Sequence, residues 1–365
     1  MSELQVALLV IGCGVIVAVY VFGRWQQTKY RQRFSATFKS DRTDALYNDN
    51  VPGRESRNQP SEISSFVDLS AGVASSATSM LDESCSLLDT RTDFIIELTL
   101  DEPGPAAVLD GLWQRKFDFR KLVQVCGQAL VTGEWERVIA DPSTGLRAGN
   151  QALYGRFRIA LQLVDRSGAI SEAKLADFQD LVLGIAKHIK ADTTVPDIRE
   201  TYHHAVELDA FCTEVDQMAG VNLVSQGERM LTGGDIAQAA DSQGMNLESD
   251  GAFHLLDTQG HSLFSLINQD NRPFQHHTLE TFSTPGITLL LDVPRVENPA
   301  LHFDQMIRVA HELARALQVN VVDDHGVMLS DINLAGIRQR IVEVEDKMCD
   351  HGITPGNAQA RRLFS

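Results

Sequence analysis

The longest apolar stretch of the chain lies near its amino-terminal end. Residues 4–22 contain one strongly polar side chain, Gln5, and no charge. At a rise of about 1.5 Å per residue, a helix of this length nearly spans the hydrocarbon thickness of a bilayer. The stretch predicts a single transmembrane helix preceded by a short end at residues 1–3. The alternatives are a buried core helix and a cleaved signal peptide, but residues 1–3 offer an acid where a signal peptide has cations.

A basic segment follows this stretch, and the first acid after it is Asp41. Cations beside a membrane span stay on the cytoplasmic side, so we expect a periplasmic amino terminus and a cytoplasmic remainder. Residues 23–91 are predicted to form this flank and a flexible linker, because the apolar periodicity fades and serines take over. The candidate membrane-flanking residues are Arg24, Lys29, Arg31 and Arg33.

Strand and helix periodicities return at residue 93. The first half has strand patterns at 94–100, 135–139 and 154–164, and helical patterns at 106–116, 172–189 and after Pro196. The second half has strand patterns at 218–224, 251–256, 262–268, 286–293, 320–323 and 326–329, and helical patterns at 234–242, 303–317 and 332–348.

The two halves run through similar steps, which predicts an α+β fold. We expect two units, residues 92–210 and 211–348, of which the first is a diverged copy of the second. One continuous larger sheet is the alternative. Residues 349–365 are expected to form a tail.

The composition is that of a globular protein with an acidic excess, since 43% of the residues are hydrophobic and 22% are charged. With 49 acids against 32 bases the formal net charge is −17. Nucleic-acid binding is disfavoured, because a phosphate-binding face needs concentrated cations. The five cysteines are too widely spaced for a zinc site and are expected to be free thiols in a reducing compartment.

Motifs for catalysis are missing from the sequence: it has no P-loop, no G-x-S-x-G elbow and no H-E-x-x-H. The adjacent pairs His203-His204 and His276-His277 point to different faces of an element and make poor chelates. We expect no enzymatic activity, no catalytic residue, no metal, no cofactor and no small-molecule substrate.

Four segments of the second half resemble a known family in order and spacing. They resemble the C-terminal FtsZ-binding domain of the ZipA family over roughly residues 214–348, and the run Thr284-Pro285-Gly286 is the most specific. The segments are Phe-His-Leu at 253–255, Ser-Leu-Phe-Ser-Leu-Ile-Asn at 262–268, residues 282–294 and Val-Val-Asp-Asp at 321–324.

The resemblance implies a split β-α-β fold, with an antiparallel sheet backed by helices on one face. In that family a shallow apolar groove on the other face holds the C-terminal tail of FtsZ, the tubulin-like division protein. The resemblance also implies a place at the division site of the inner membrane, where the chain would tether FtsZ filaments during septum assembly. Other division proteins are further candidate partners.

Strand alternation then assigns residues to the groove. If Leu289 and Leu291 face the core helices, Thr288 and Leu290 face the groove. The predicted groove residues are Met218, Gly220, Ala252, His254, Ile267, Gln269, Thr288 and Leu290.

The chain departs from the family near this groove. The family is typically apolar or basic where this chain has Asp250, Gln269 and Asn271. The alternative hypothesis is therefore a structural envelope or adaptor protein that keeps the fold and binds a different partner.

Overall fold

The computed structural model describes Cys85 and residues 88–139, 152–270 and 272–365. The predicted transmembrane helix, its four flanking cations and nearly all of the linker lie outside these residues. In the described part, no helix is both long and apolar enough to cross a bilayer. The described chain is an α+β structure of antiparallel sheets packed against helices.

In the described residues, the first unit comprises seven strands and three α-helices. Its strands are β1 (Asp93–Pro105), β2 (Val123–Ala129), β3 (Trp135–Arg137), β4 (Leu153–Gln162), β5 (Val164–Asp165), β6 (Gly168–Ala169) and β7 (Ala191–Thr194). Its helices are α1 (Asp110–Arg115), α2 (Glu172–Ile189) and α3 (Ile198–Val215), with 3-10 turns at Ala106–Leu109 and Lys116–Phe119.

The second unit follows directly. Its strands are β8 (Met218–Val224), β9 (Leu231–Thr232), β10 (Asn246–Leu247), β11 (Phe253–Leu256), β12 (Ser262–Asn268), β13 (Ser283–Thr284), β14 (Gly286–Asp292) and β15 (Asn320–Val322). Its helices are α4 (Gly233–Ser242), α5 (Pro299–Leu317) and α6 (Asp331–Asp350), with a 3-10 turn at Val293–Arg295, and α7 (Ala358–Leu363) ends the chain.

The described strands form two large sheets, so one continuous sheet is not present. The first has the order β3-β2-β4-β1-β7 and the second the order β10-β11-β12-β14-β8-β15, each with antiparallel neighbours. The arrangement β4-β1-β7 in the first sheet corresponds to β14-β8-β15 in the second. The correspondence extends one strand further, since β2 pairs with β4 as β12 pairs with β14. The hypothesis of a diverged copy stays a prediction.

One long amphipathic helix, α5, covers a single face of the second sheet. Pro299 suits its first turn, and buried residues such as Phe303, Met306 and Leu313 lie along one stripe. The helix packs across β8, β12, β14 and β15. Burying each such side chain contributes about 1.5–3 kcal/mol, so this packing fixes which sheet face is inside.

The predicted boundary at residues 210 and 211 falls inside α3, which runs on to Val215. The sequence pattern also missed β2, a strand in the interior of the first sheet. β4 pairs with it along its whole length, and β3 pairs with it at Cys126, Gly127 and Gln128. Gly127 leaves room for the Tyr154 ring to pack on β2, since a Cβ at this position would lie 2.4 Å from the ring.

The prediction of a tail at residues 349–365 was wrong. This segment forms α7, and Leu363 and Phe364 are each only 1% exposed. Gln359 donates a hydrogen bond to Thr92 Oγ1 at 3.2 Å, and Arg362 pairs with the buried Asp93. The carboxyl-terminal segment therefore packs back onto the start of the first unit, which periodicity over so few residues could not reveal.

The prediction of five free thiols was also wrong. Cys85 and Cys126 form a disulfide that joins the end of the linker to β2. Their separation of 41 residues hides the pairing in the sequence, because only the fold brings the two side chains together. Of the other cysteines in the described part, Cys212 is a buried thiol and Cys349 an exposed one.

Candidate peptide-binding face

The second sheet presents a face on the side opposite α5, here called the outer face. The pairing register arranges its residues in two rows across the strands. One row is His254, Ser265, Leu290 and Gly220, and the other is Ile267, Thr288, Asn222 and Val322. The structure thus brings together five of the eight predicted groove residues: Gly220, His254, Ile267, Thr288 and Leu290.

Alternation along β14 separates the outer face from the core. Leu289 and Leu291 belong to the contiguous hydrophobic core, as the pattern predicts. Leu290 is 9% exposed but lies outside that core. Its neighbours across the sheet are Gly220, which has no side chain, and the small Ser265. In the middle of the outer face, the Leu290 side chain therefore stands between two residues with little or no side chain.

A chain of hydrogen bonds crosses the second row. The Thr288 hydroxyl donates to Asn222 Oδ1 at 2.6 Å, and Asn222 Nδ2 donates to Asp324 Oδ1 at 2.9 Å. Burial raises the pKa of Asp324, although the bond from Asn222 opposes this. Sequence reasoning missed Asn222, yet it follows Gly220 by two positions and so shares its face.

Met328 extends the second row beyond the edge strand. Met328 bridges to Val322, which is opposite Asn222 on β15. Val322 is 4% exposed, whereas Met328 is 65% exposed. The row therefore ends in a large apolar side chain open to solvent. The strand pattern at 326–329 includes Met328, but this residue was not among the groove residues predicted from the sequence.

His254, on β11, lies toward the other side of the outer face, next to the edge strand β10. Its Nε2 lies 2.9 Å from Asp250 Oδ2, and its Nδ1 lies 2.7 Å from Ser262 Oγ. Because a carboxylate only accepts, Nε2 carries the proton. The polar residue Asp250, noted as a departure from the family, thus orients the imidazole while its own side chain stays 59% exposed.

The three remaining predicted groove residues lie at the margins. Ala252 is 6% exposed and precedes β11, and Gln269 is exposed just after β12. A Cβ on Gly286 would lie 2.9 Å from the backbone oxygen of Leu223 and 2.5 Å from Gln269 Oε1, so glycine is favoured there by the fixed backbone contact. Met218 pairs with Asp292 at the far end of β14. Asn271 lies outside the described residues.

Arg166 of the first unit contacts the second unit at the Met218 end of the outer face. The guanidinium donates to Asp216 Oδ1 at 2.8 Å and to Asp292 Oδ1 at 2.7 Å. Burial alone would lower the pKa of Arg166, but the two carboxylates outweigh it and raise that pKa. Burial raises the pKa of Asp292, and Arg166 opposes the rise.

The outer face carries no grouping suited to metal chemistry. Across the described ranges, no cluster of three or more His, Cys, Asp or Glu side chains could hold a metal ion. What the arrangement offers is an apolar centre, an ordered row of amide and hydroxyl groups, and an exposed methionine. These features suit recognition of a peptide with apolar side chains.

Comparison with known proteins finds a family match over the second unit. Residues 217–340 match the family described as "ZipA, C-terminal FtsZ-binding domain". The range includes the strands and the helix α5 that build the outer face, together with Met328.

Similar proteins include three called "Cell division protein ZipA". That of Ectopseudomonas mendocina is 27% identical over 145 residues, which are 39% of this chain and 53% of the relative. That of Stutzerimonas stutzeri is 27% identical over 135 residues, 36% and 50% of the two chains. That of Pseudomonas syringae pv. syringae is 26% identical over 158 residues, 42% and 54% of the two. The chain therefore spans about half the length of these relatives.

Proposed function

Because residues 217–340 place this chain in the ZipA family, we propose that it is a cell-division protein that binds the C-terminal tail of FtsZ. By this binding it tethers FtsZ filaments to the inner membrane during septum assembly. The chain acts by recognition alone, without catalysis or a cofactor.

The observation that carries the proposal is the position of Leu290. An apolar side chain in the middle of a sheet, outside the core and between Gly220 and Ser265, is suited to contact an apolar side chain of a peptide. The helix α5 occupies only the opposite face, so binding requires no displacement of the fold. Ile267 and Met328 extend the apolar surface at the two ends of the row that contains Asn222.

We expect the polar residues of the outer face to position a bound peptide more than to strengthen its binding. Thr288 and Asn222 already satisfy each other, and His254 is held by Asp250 and Ser262. A peptide that covers them meets ordered groups and does not need to replace their bonds. We therefore expect a weak contact with a single tail.

The membrane part of the proposal rests on the sequence. The apolar residues 4–22 would anchor the chain, and Arg24, Lys29, Arg31 and Arg33 would keep the two units cytoplasmic. Weak tail contacts then sum along a filament, because each contact after the first is effectively intramolecular. This gives firm attachment at the division site.

The test is a titration of the full chain in nanodiscs with a fluorescent FtsZ tail peptide from the same organism, read by anisotropy. We expect saturable micromolar binding that is lost in Leu290→Asp. Leu301→Asp is the matched control, since Leu301 lies on α5 and is 58% exposed. Because Leu290 is buried, Leu290→Ala and a thermal melt of each variant separate lost binding from lost folding.

Retained binding in Leu290→Asp, with the fold intact, would contradict the assignment of the outer face. An intact wild-type chain without saturable binding would favour the second candidate. This candidate is an adaptor of the same fold with a different partner, and the polar Asp250 and Gln269 near the face favour it.

A further inference from the structure

The first unit exposes an aromatic ring on the turn after α1. Phe117 is 79% exposed and is the one aromatic residue among the large exposed hydrophobic side chains of the described ranges. The fold does not use this ring. Phe119, two residues later, fills the core, where its ring lies 5.1 Å from that of Phe178. Phe117 is therefore available to a partner.

A cation lies beside the exposed ring, and others lie near it in the chain. Lys116 Nζ lies 4.9 Å from the centre of the Phe117 ring and 5.8 Å from that of Trp113. Arg120 ends the turn in the left-handed region, with φ of 55°, and is exposed. Residues 113–120, here called the basic aromatic turn, thus combine a half-buried Trp and Lys with an exposed Phe and two exposed Arg.

The surroundings of the turn keep a basic excess. Lys174 Nζ, on α2, lies 5.9 Å from the Phe119 ring. Three acids face these cations: Asp118 pairs with Arg115 at 3.1 Å, Asp177 pairs with Lys174 at 3.3 Å, and Asp180 lines the same surface pocket as Arg115. Four cations against three acids are a local basic excess in a chain of net charge −17.

We propose that the basic aromatic turn docks on the anionic lipid headgroups of the membrane that holds the chain. The inference rests on the proposed membrane anchor. Aromatic rings and cations side by side are what the headgroup layer accepts, since the ring enters the boundary and the cations meet phosphates. Each cation near an anionic surface strengthens binding roughly five-fold, so anchoring elsewhere in the chain makes a small patch sufficient. The contact would fix the orientation of the first unit against the bilayer.

The test is hydrogen exchange of residues 113–120 in the full chain, reconstituted in phosphatidylcholine nanodiscs with or without phosphatidylglycerol. We expect slower exchange with phosphatidylglycerol only, and loss of this protection in Phe117→Ser, in Lys116→Glu and at high salt. Arg315→Glu is the matched control, since Arg315 is 73% exposed on α5, and it should keep the protection. Exchange of β1 and β4 reports folding in every sample.

Fast exchange of residues 113–120 in both lipids would overturn the proposal. Slow exchange in both lipids would overturn it too, because it would indicate a protein contact, such as a second copy of the chain. A chain that fails to enter neutral discs would contradict the anchor. In that case, flotation with phosphatidylglycerol vesicles would be compared between this chain and Phe117→Ser. Equal flotation of the two would overturn the proposed docking of the turn. The Leu290 titration is independent of all these outcomes.

Discussion

Arg166, on the turn between β5 and β6, donates a hydrogen bond of 2.7 Å to Asp292 at the end of β14. The same guanidinium contacts Asp216, just after α3. The three side chains are 16%, 20% and 8% exposed, so this is a largely buried ionic junction between the two units. It lies at the Met218 end of the outer face, which ties the proposed binding surface to the first unit.

Arg166→Met is expected to lower the free energy of unfolding by about 3–5 kcal/mol, because it removes the guanidinium that pairs with two largely buried carboxylates. Burial raises the folded-state pKa of Asp292 above the ordinary value of 3.8, and loss of Arg166 raises it further. The fold therefore loses stability as the pH rises from about 3.8 through the raised pKa of Asp292 and this carboxyl ionises. This loss is larger in the variant, so the difference in stability between variant and wild type should shrink in acid.

Chemical denaturation at neutral and acidic pH measures this effect. Arg315→Met is the control, since Arg315 and Glu312 form an exposed pair of the kind that contributes little. A deficit that is the same at both pH values would show that the carboxylates are not its source.

Asn222→Ala is expected to cost about 1–3 kcal/mol of stability, because it leaves the buried Thr288 hydroxyl without its acceptor. Thr288→Val keeps the shape and should cost less. A double-mutant cycle on the two positions should give a coupling energy of roughly 0.5–1.5 kcal/mol. Additive effects would mean that the hydrogen bond contributes nothing.

Met328→Glu is expected to weaken binding of the tail peptide roughly ten-fold, since burial of an exposed methionine contributes about 1.5 kcal/mol or more. Stability should not change, because Met328 is 65% exposed. Met230→Glu serves as the control, as Met230 is 48% exposed in the same unit but outside the two rows. Equal titrations for both variants would exclude Met328 from the binding surface.

Cys126→Ser is expected to lower stability by about 4 kcal/mol, the chain-entropy effect of a cross-link over 41 residues. The difference from the wild type should vanish in a thiol reductant. Cys349→Ser, at an exposed free thiol, should change nothing under either condition.

The same cysteines test the orientation of the chain. Cytoplasmic units would keep Cys85 and Cys126 as thiols in growing cells, since disulfides persist in oxidising compartments. Alkylation of lysates quenched in acid, followed by mass spectrometry, reads this state. A disulfide in cells would place the units on the other side of the membrane.

The sequence by itself determined the elements with long, clean periodicity. The pattern at 172–189 gave the bounds of α2, and those at 218–224 and 262–268 gave β8 and β12. Alternation along β14 correctly assigned Leu289 and Leu291 to the core, because a strand with one covered face repeats every second residue. Local periodicity carries such information without any knowledge of distant contacts.

Only the tertiary structure decided how distant segments meet. It paired Cys85 with Cys126, turned residues 349–365 into part of the packing, and brought Arg166 to Asp292. It also aligned Met328 with Val322 and Asn222, which extends the outer face past the predicted residues. These relationships depend on strand register and chain crossings over tens to hundreds of residues, and no short-range pattern of hydrophobic and polar positions encodes them.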